Sequence, residues 1–93
     1  MSIQAYVFVE CTLGKATRVV EALMKMPEVA TAHAVTGAYD VIAFVRAESA
    51  AALGDLLSSG IHRVPGVLKT TTNVVVEPGR ADKSPGSDRG RRV

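Results

Sequence analysis

Three observations predict an α+β fold of the ferredoxin-like βαββαβ type. Four stretches alternate apolar and polar side chains with a period of two, or are apolar throughout. Two others repeat apolar residues at three- and four-residue spacing. Their order is strand, helix, strand, strand, helix, strand, which places both helices on one face of a four-stranded antiparallel sheet.

Ile3–Cys11 reads as the first strand, with Ile3, Ala5, Val7, Val9 and Cys11 on one face and Gln4, Tyr6, Phe8 and Glu10 on the other. Thr12 is the expected cap of a helix whose stripe is Ala16, Val19, Val20, Leu23 and Met24. Pro27 stops that helix, because it has no N–H and restricts Met26. Val29–Val35 forms a second strand, with Ala30, Ala32 and Ala34 against Thr31, His33 and Val35. The short link Thr36–Tyr39 returns the chain as a hairpin into a third strand, Asp40–Arg46, and Gly37 supplies a left-handed backbone angle. Ser49 caps a second helix over Ala50–Ser59, with Leu53, Leu56, Leu57 and Ile61 on its buried side and Gly60 at its end. A Pro65-Gly66 turn leads into a last strand, Val67–Val76.

A chain of 93 residues implies one domain, and one of this size buries only about 60% of its unfolded surface. The core must come from Val, Ala, Leu and Ile, since only 4% of residues are aromatic and none is Trp. Helices cover only one face of the sheet. The face carrying Tyr6 and Phe8 is therefore left partly apolar and predicts a partner, most economically a second copy packed sheet to sheet. One cysteine, Cys11, excludes an internal disulfide and fits a reducing, cytoplasmic setting. The N-terminus has no signal-peptide pattern, and the longest apolar run, Val41–Val45, is too short to span a membrane. The net charge of +2 is unevenly spread: residues 1–77 hold six Lys/Arg and seven Asp/Glu, whereas residues 78–93 hold five Lys/Arg and two Asp. Residues 1–77 are thus expected to fold and 78–93, rich in Gly, Pro, Ser and Arg, to form a disordered basic tail.

Chemistry concentrates at the hairpin. A carboxylate at Asp40, directly after a glycine turn, can pair with a ligand ammonium while turn N–H groups bind a ligand carboxylate. The competing role for Asp40 is to bond its own turn backbone. Tyr39 either closes over a ligand or packs in an interface. Thr70 and Thr72 share one face of the last strand, where their hydroxyls either meet a ligand or serve strand propensity. His33 and His62 lack neighbouring ligand residues at metal spacing, so no metal is expected. His62 reads as an exposed loop residue, and Cys11 packs as a small apolar group. No catalytic constellation is visible. Arg80, Lys83, Arg89, Arg91 and Arg92 can contact phosphates, but a solubilising, disordered end is the favoured reading of them.

Three stretches in register resemble the effector-binding (RAM) domain of the Lrp/AsnC family: Val35-Thr36-Gly37-Ala38-Tyr39-Asp40-Val41, Ile61-His62-Arg63-Val64-Pro65-Gly66-Val67, and Lys69-Thr70-Thr71-Thr72-Asn73-Val74-Val75-Val76. The resemblance covers residues 3–77. It implies a sheet-to-sheet homodimer, assembly of dimers into octamers or decamers, and a small effector, typically an amino acid, held between dimers. It places Gly37, Ala38, Tyr39 and Asp40 at that site, with Thr70 and Thr72 carried over more loosely. It implies no cofactor and no enzyme activity, but a role in transcription through effector sensing, possible pairing with a full-length regulator included. Family regulators carry an N-terminal helix-turn-helix, whereas here the first strand starts two residues after Met1. The chain accordingly looks like a stand-alone form without direct sequence-specific DNA binding. The alternative is a small dimeric ferredoxin-like enzyme of the monooxygenase type, which the fold permits.

Overall fold

The computed structural model describes residues 2–77; the expected basic tail lies outside the described residues. The elements are β1 (Ile3–Cys11), α1 (Ala16–Met24), β2 (Val29–Ala34), β3 (Val41–Ala47), α2 (Ala50–Asp55) and β4 (Val67–Val74). Between α2 and β4 the helical path continues as a π turn, Leu56–Gly60, and a 3-10 turn, Ile61–Arg63. The four strands form one antiparallel sheet in the order β2-β3-β1-β4, the ferredoxin-like arrangement the sequence predicts.

The two faces of the sheet follow from the pleat. Cross-strand pairs share a face, so Ala5, Val7 and Val9 of β1 lie beside Val45, Ala43 and Val41 of β3. All six are fully buried, and with Val19 and Leu23 of α1, Leu53 and Leu56 beyond it, and Ile61 they form a single core under the helices. Tyr6, Phe8, Ile42 and Phe44 fall on the opposite, open face. α1 shows why it docks where it does: Val19 and Leu23 sit four residues apart on one side and are buried, while Ala16 and Val20 pack at the margin.

Several local expectations are corrected. Thr12 does not cap α1. Its N–H donates to Gly66 O at 2.7 Å and its carbonyl accepts from Lys15 N–H at 3.0 Å, so the helix begins at Ala16 without a side-chain cap. Met24 is half exposed, and Met26, beyond the helix end, packs against the core instead. β2 does not alternate strictly: Val29 and Ala32 are its buried residues. A bulge between Val29 and Thr31 sets the extra residue, Ala30, out of register, and shifts the face on which the later residues fall. The second α-helix stops at Asp55 rather than Ser59, and Gly60 has φ −110 rather than a left-handed angle. The wider π turn lets the chain bury Ile61 completely. Ser49 does cap α2: its Oγ accepts Ala52 N–H at 3.0 Å. β3 is displaced by one residue, to Val41–Ala47, and β2 and β4 end at Ala34 and Val74, earlier than the alternation suggests. A second irregularity lies in β4, where Glu10 pairs with Lys69 but Cys11 with Val67, so Leu68 is extruded and exposed.

Three glycines, Gly14, Gly37 and Gly66, have positive φ. Gly66 (φ +100) is also sterically confined, since a Cβ there would meet Lys15 Cβ at 2.9 Å. Gly54, by contrast, is helical with open space around it. Gly66→Ala is expected to destabilise the domain by about 1–3 kcal/mol, and Gly54→Ala to stabilise it by about 0.5–1 kcal/mol. Urea unfolding of the two variants against the parent checks both signs.

Candidate functional site

The link between β2 and β3 is tied back to the sheet at its last residue, Asp40. Backbone pairing of β1 with β3 ends at Val9↔Val41. Beyond that pair no β3 residue is positioned to accept the Cys11 N–H. Asp40 takes over: its Oδ2 accepts from Cys11 N–H at 2.7 Å, so a side-chain carboxylate supplies the next rung of the ladder. Asp40 N–H also donates to Val9 O at 2.9 Å, and Asp40 O accepts from Val35 N–H at 2.9 Å. One residue therefore ties the ends of β1, β2 and β3 together. Of the two roles open to Asp40 from the sequence, the backbone-bonding one is realised, but to β1 rather than to its own turn.

The four residues before it project from this anchor. Thr36, Gly37 and Ala38 are exposed, and Gly37 adopts φ +130, a region that favours glycine. Tyr39 folds back onto the open face and stacks on Phe8, with ring centroids 5.3 Å apart and planes at 24°. A second pair, Tyr6 and Phe44, lies further along the same face at 4.9 Å, and the Arg46 guanidinium sits 5.6 Å from the Phe44 centroid. With Ile42 between them these rings make one apolar stripe, in which Tyr6 remains 46% exposed.

Thr70 and Thr72 lie elsewhere. Thr70 pairs with Val9 and Thr72 with Val7, so both fall on the helix side of the sheet. Tyr39 stacks on the other side. Within one chain the sheet thus separates the threonines from Tyr39, although Asp40 and Thr70 flank the same residue, Val9. Thr70 instead meets His62, whose Nε2 contacts its Oγ1. These two, with Val67, Leu68 and Lys69, line an open groove of about 410 Å³ along the β4 edge. His62 reads as a plain loop residue in the sequence because its partner comes from the next strand, eight positions on. Among the described residues no group of three or more His, Cys, Asp or Glu is placed to hold a metal ion. No helix among them is long and apolar enough to cross a membrane.

The element order, the single helical layer and the anchored glycine turn define a ferredoxin-like α+β domain with one sheet face not covered by helices. The chain belongs to the Lrp/AsnC ligand binding domain family, whose model matches residues 4–83. It is 32% identical over 76 residues to the HTH-type transcriptional regulator FL11 of Pyrococcus horikoshii, covering 82% of this chain and 50% of that protein. The chain thus spans about half the length of this curated relative. Among solved structures it resembles TTHA0845 from Thermus thermophilus, with TM-score 0.79, 31% identity, and coverage of 84% of this chain and 98% of that one. It shares its fold with the transcriptional regulator NMB0573 of Neisseria meningitidis, solved as an L-Met complex, with TM-score 0.76, 21% identity, and coverage of 88% of this chain and 55% of that one.

Burial, and secondarily the nearby Asp40 charge, raise the Cys11 thiol above its ordinary value of 9.0. The folded state then keeps a proton that the unfolded state releases. Stability is full below pH 9 and falls as pH rises beyond it. Cys11→Ala is expected to flatten that alkaline slope in pH-dependent urea titrations. Asp40→Ala strands the Cys11 N–H and should cost about 1–3 kcal/mol. Asp40→Asn, which keeps an acceptor oxygen, should cost clearly less in the same assay.

Proposed function

We propose that this chain is an effector-sensing and oligomerisation module that binds a small amino acid and influences transcription indirectly. The observation that carries the reading is the Gly37–Asp40 turn, exposed at its tip yet anchored to three strands by Asp40. A preorganised turn pays little ordering entropy on binding. The free N–H groups of an exposed glycine turn suit a carboxylate, and the Asp40 oxygen not engaged with Cys11 suits an ammonium group. An α-amino acid carries both. The L-Met complex of the meningococcal regulator supports an effector of this class.

The aromatic stripe supports a homodimer joined through its open sheet face, since Tyr6, Phe8, Phe44 and Tyr39 gain most by burial against a like surface. A site at the turn is then completed by a neighbouring subunit once dimers gather into an octamer or decamer. Thr70, Thr72 and His62 come from the other side of the sheet and join the site only as a second subunit's contribution. The same open face suits pairing with a full-length regulator of the family, and such pairing would carry the signal to DNA.

A thermal-shift screen of the twenty amino acids tests the ligand. One of them, at about one hundred times its dissociation constant, should add about 2.7 kcal/mol of stability. Asp40→Asn should remove the response while leaving the fold in place. A flat response to all twenty sinks the amino-acid reading. Native mass spectrometry tests assembly: Tyr6→Glu, a charge set into the aromatic stripe, should convert the dimer to monomer, and an unchanged mass would refute dimerisation through this face.

A further inference from the structure

The β4-edge groove differs from the other grooves of the surface in what lines it. At the end of the sheet remote from the Gly37 turn, a groove of about 480 Å³ carries Glu28, Arg46 and Glu48. A neighbour of about 410 Å³ beside the helices carries Glu28 and Asp55. The β4-edge groove has no carboxylate in its lining. Its polar side chains are His62, Lys69 and Thr70, and Val67 and Leu68 supply an apolar wall. The acidic residue across from Lys69, Glu10, lies on β1 and outside that lining.

His62 is held there by its neighbours in sequence. It sits in the 3-10 turn between Ile61 and Val64, both buried. Val64 N–H donates to Ile61 O and Val67 N–H to Val64 O, each at 3.1 Å, so the turn runs directly into β4. The imidazole is exposed but has a core residue on either side of it. Its Nε2 meets Thr70 Oγ1. When Nε2 carries the proton it donates to Oγ1, and the Thr70 hydroxyl hydrogen is left for a ligand. When the hydroxyl donates to Nε2, the other ring nitrogen holds the remaining N–H. Each tautomer thus leaves one donor. The backbone adds a second. Val75 N–H donates to Gln4 O at 2.8 Å, so Asn73, Thr71 and Lys69, in alternation with it, also turn their N–H groups toward β1. Thr70 turns its N–H the other way, to the free edge of the sheet, because β4 is an outer strand.

Resting on the reading of an effector site shared between subunits, we propose that the His62–Thr70 pair is the specificity-determining element of that site. The Gly37–Asp40 turn of one subunit takes the ammonium and carboxylate groups common to all amino acids. The side chain enters the β4-edge groove of the neighbouring subunit. Val67 and Leu68 flank its methylenes there, and the His62–Thr70 pair and the Thr70 N–H donate to its end. The effector is then an amino acid whose side chain ends in an acceptor oxygen, a carboxamide or a carboxylate. Asparagine, aspartate, glutamine and glutamate are the four of this class. An aliphatic side chain would leave the donors of the groove without acceptors. A Lys or Arg side chain would meet Lys69 with like charge.

Titration calorimetry of the full chain with the twenty amino acids separates this inference from the reading it rests on. The tightest ligand should be one of the four. It should bind about tenfold or more tighter than its apolar counterpart, leucine for asparagine and aspartate, methionine for glutamine and glutamate. Thr70→Val and His62→Ala, each checked for an unchanged unfolding midpoint, should erase that ratio without weakening the apolar counterpart. Thr70→Ser, which keeps the hydroxyl, should retain it. Asp40→Asn should instead weaken all amino acids alike. Failure of all twenty to bind overturns the effector reading and this inference with it. Binding led by an aliphatic, aromatic or basic amino acid leaves the effector reading standing and overturns only the role of His62 and Thr70. A selectivity that survives in both Thr70→Val and His62→Ala overturns that role as well.

Discussion

One carboxylate holds the sheet together at the end where its strands run out. Asp40 accepts from β1, donates to β1 and accepts from Val35, just past the end of β2, while standing immediately before β3. Without it the Cys11 N–H would face the loop with no ladder partner. An unpaired N–H in a part-buried position costs more than most single contacts contribute. The geometry of the Gly37 turn, the seating of Tyr39 on Phe8 and the last pairs of β1 with β3 all inherit their positions from this residue. The carboxylate that stands out at the turn is thus also the group on which the local fold depends.

Much of the fold is legible because the alternation is strong. β1 runs from Ile3 to Cys11 as the pattern predicts, and its two faces separate as buried Ala5, Val7 and Val9 and open Tyr6 and Phe8. Legibility fails where a residue's partner is distant or where the chain departs from a regular period. Thr12 has the chemistry of a cap, but its backbone is claimed by Gly66, more than fifty residues on. Ala30 looks like one beat of an alternating strand, and only pairing with β3 shows it as a bulge. Gly60 looks like a helix stop because a π turn has no sequence period of its own; burial of Ile61 decides it. At the site, Asp40 stands out in the sequence but its partner does not, since Cys11 is 29 positions away. His62 and Thr70 meet only because the 3-10 turn leads back along β4.

The molecule divides its chemistry between its two ends and its two faces. The helix side is a closed core of small aliphatic residues, with no polar side chain buried among the described residues. The open side concentrates the aromatic rings on one stripe, where Tyr and Phe offer large contact areas at low entropic cost. One end carries the anchored turn and the other a groove lined by Pro27, Glu28, Arg46 and Glu48.

The irregularities at Ala30 and Leu68 have a shared consequence. β2 and β4 are the outer strands, and each carries one of them. An outer strand with an unbroken row of N–H and C=O groups is a template on which an identical chain can add, and repeated addition gives a fibril. Here the extra residue in each outer strand twists that row out of line, and Leu68 projects from it. Both margins of the sheet therefore present a broken rather than a continuous template for an added strand.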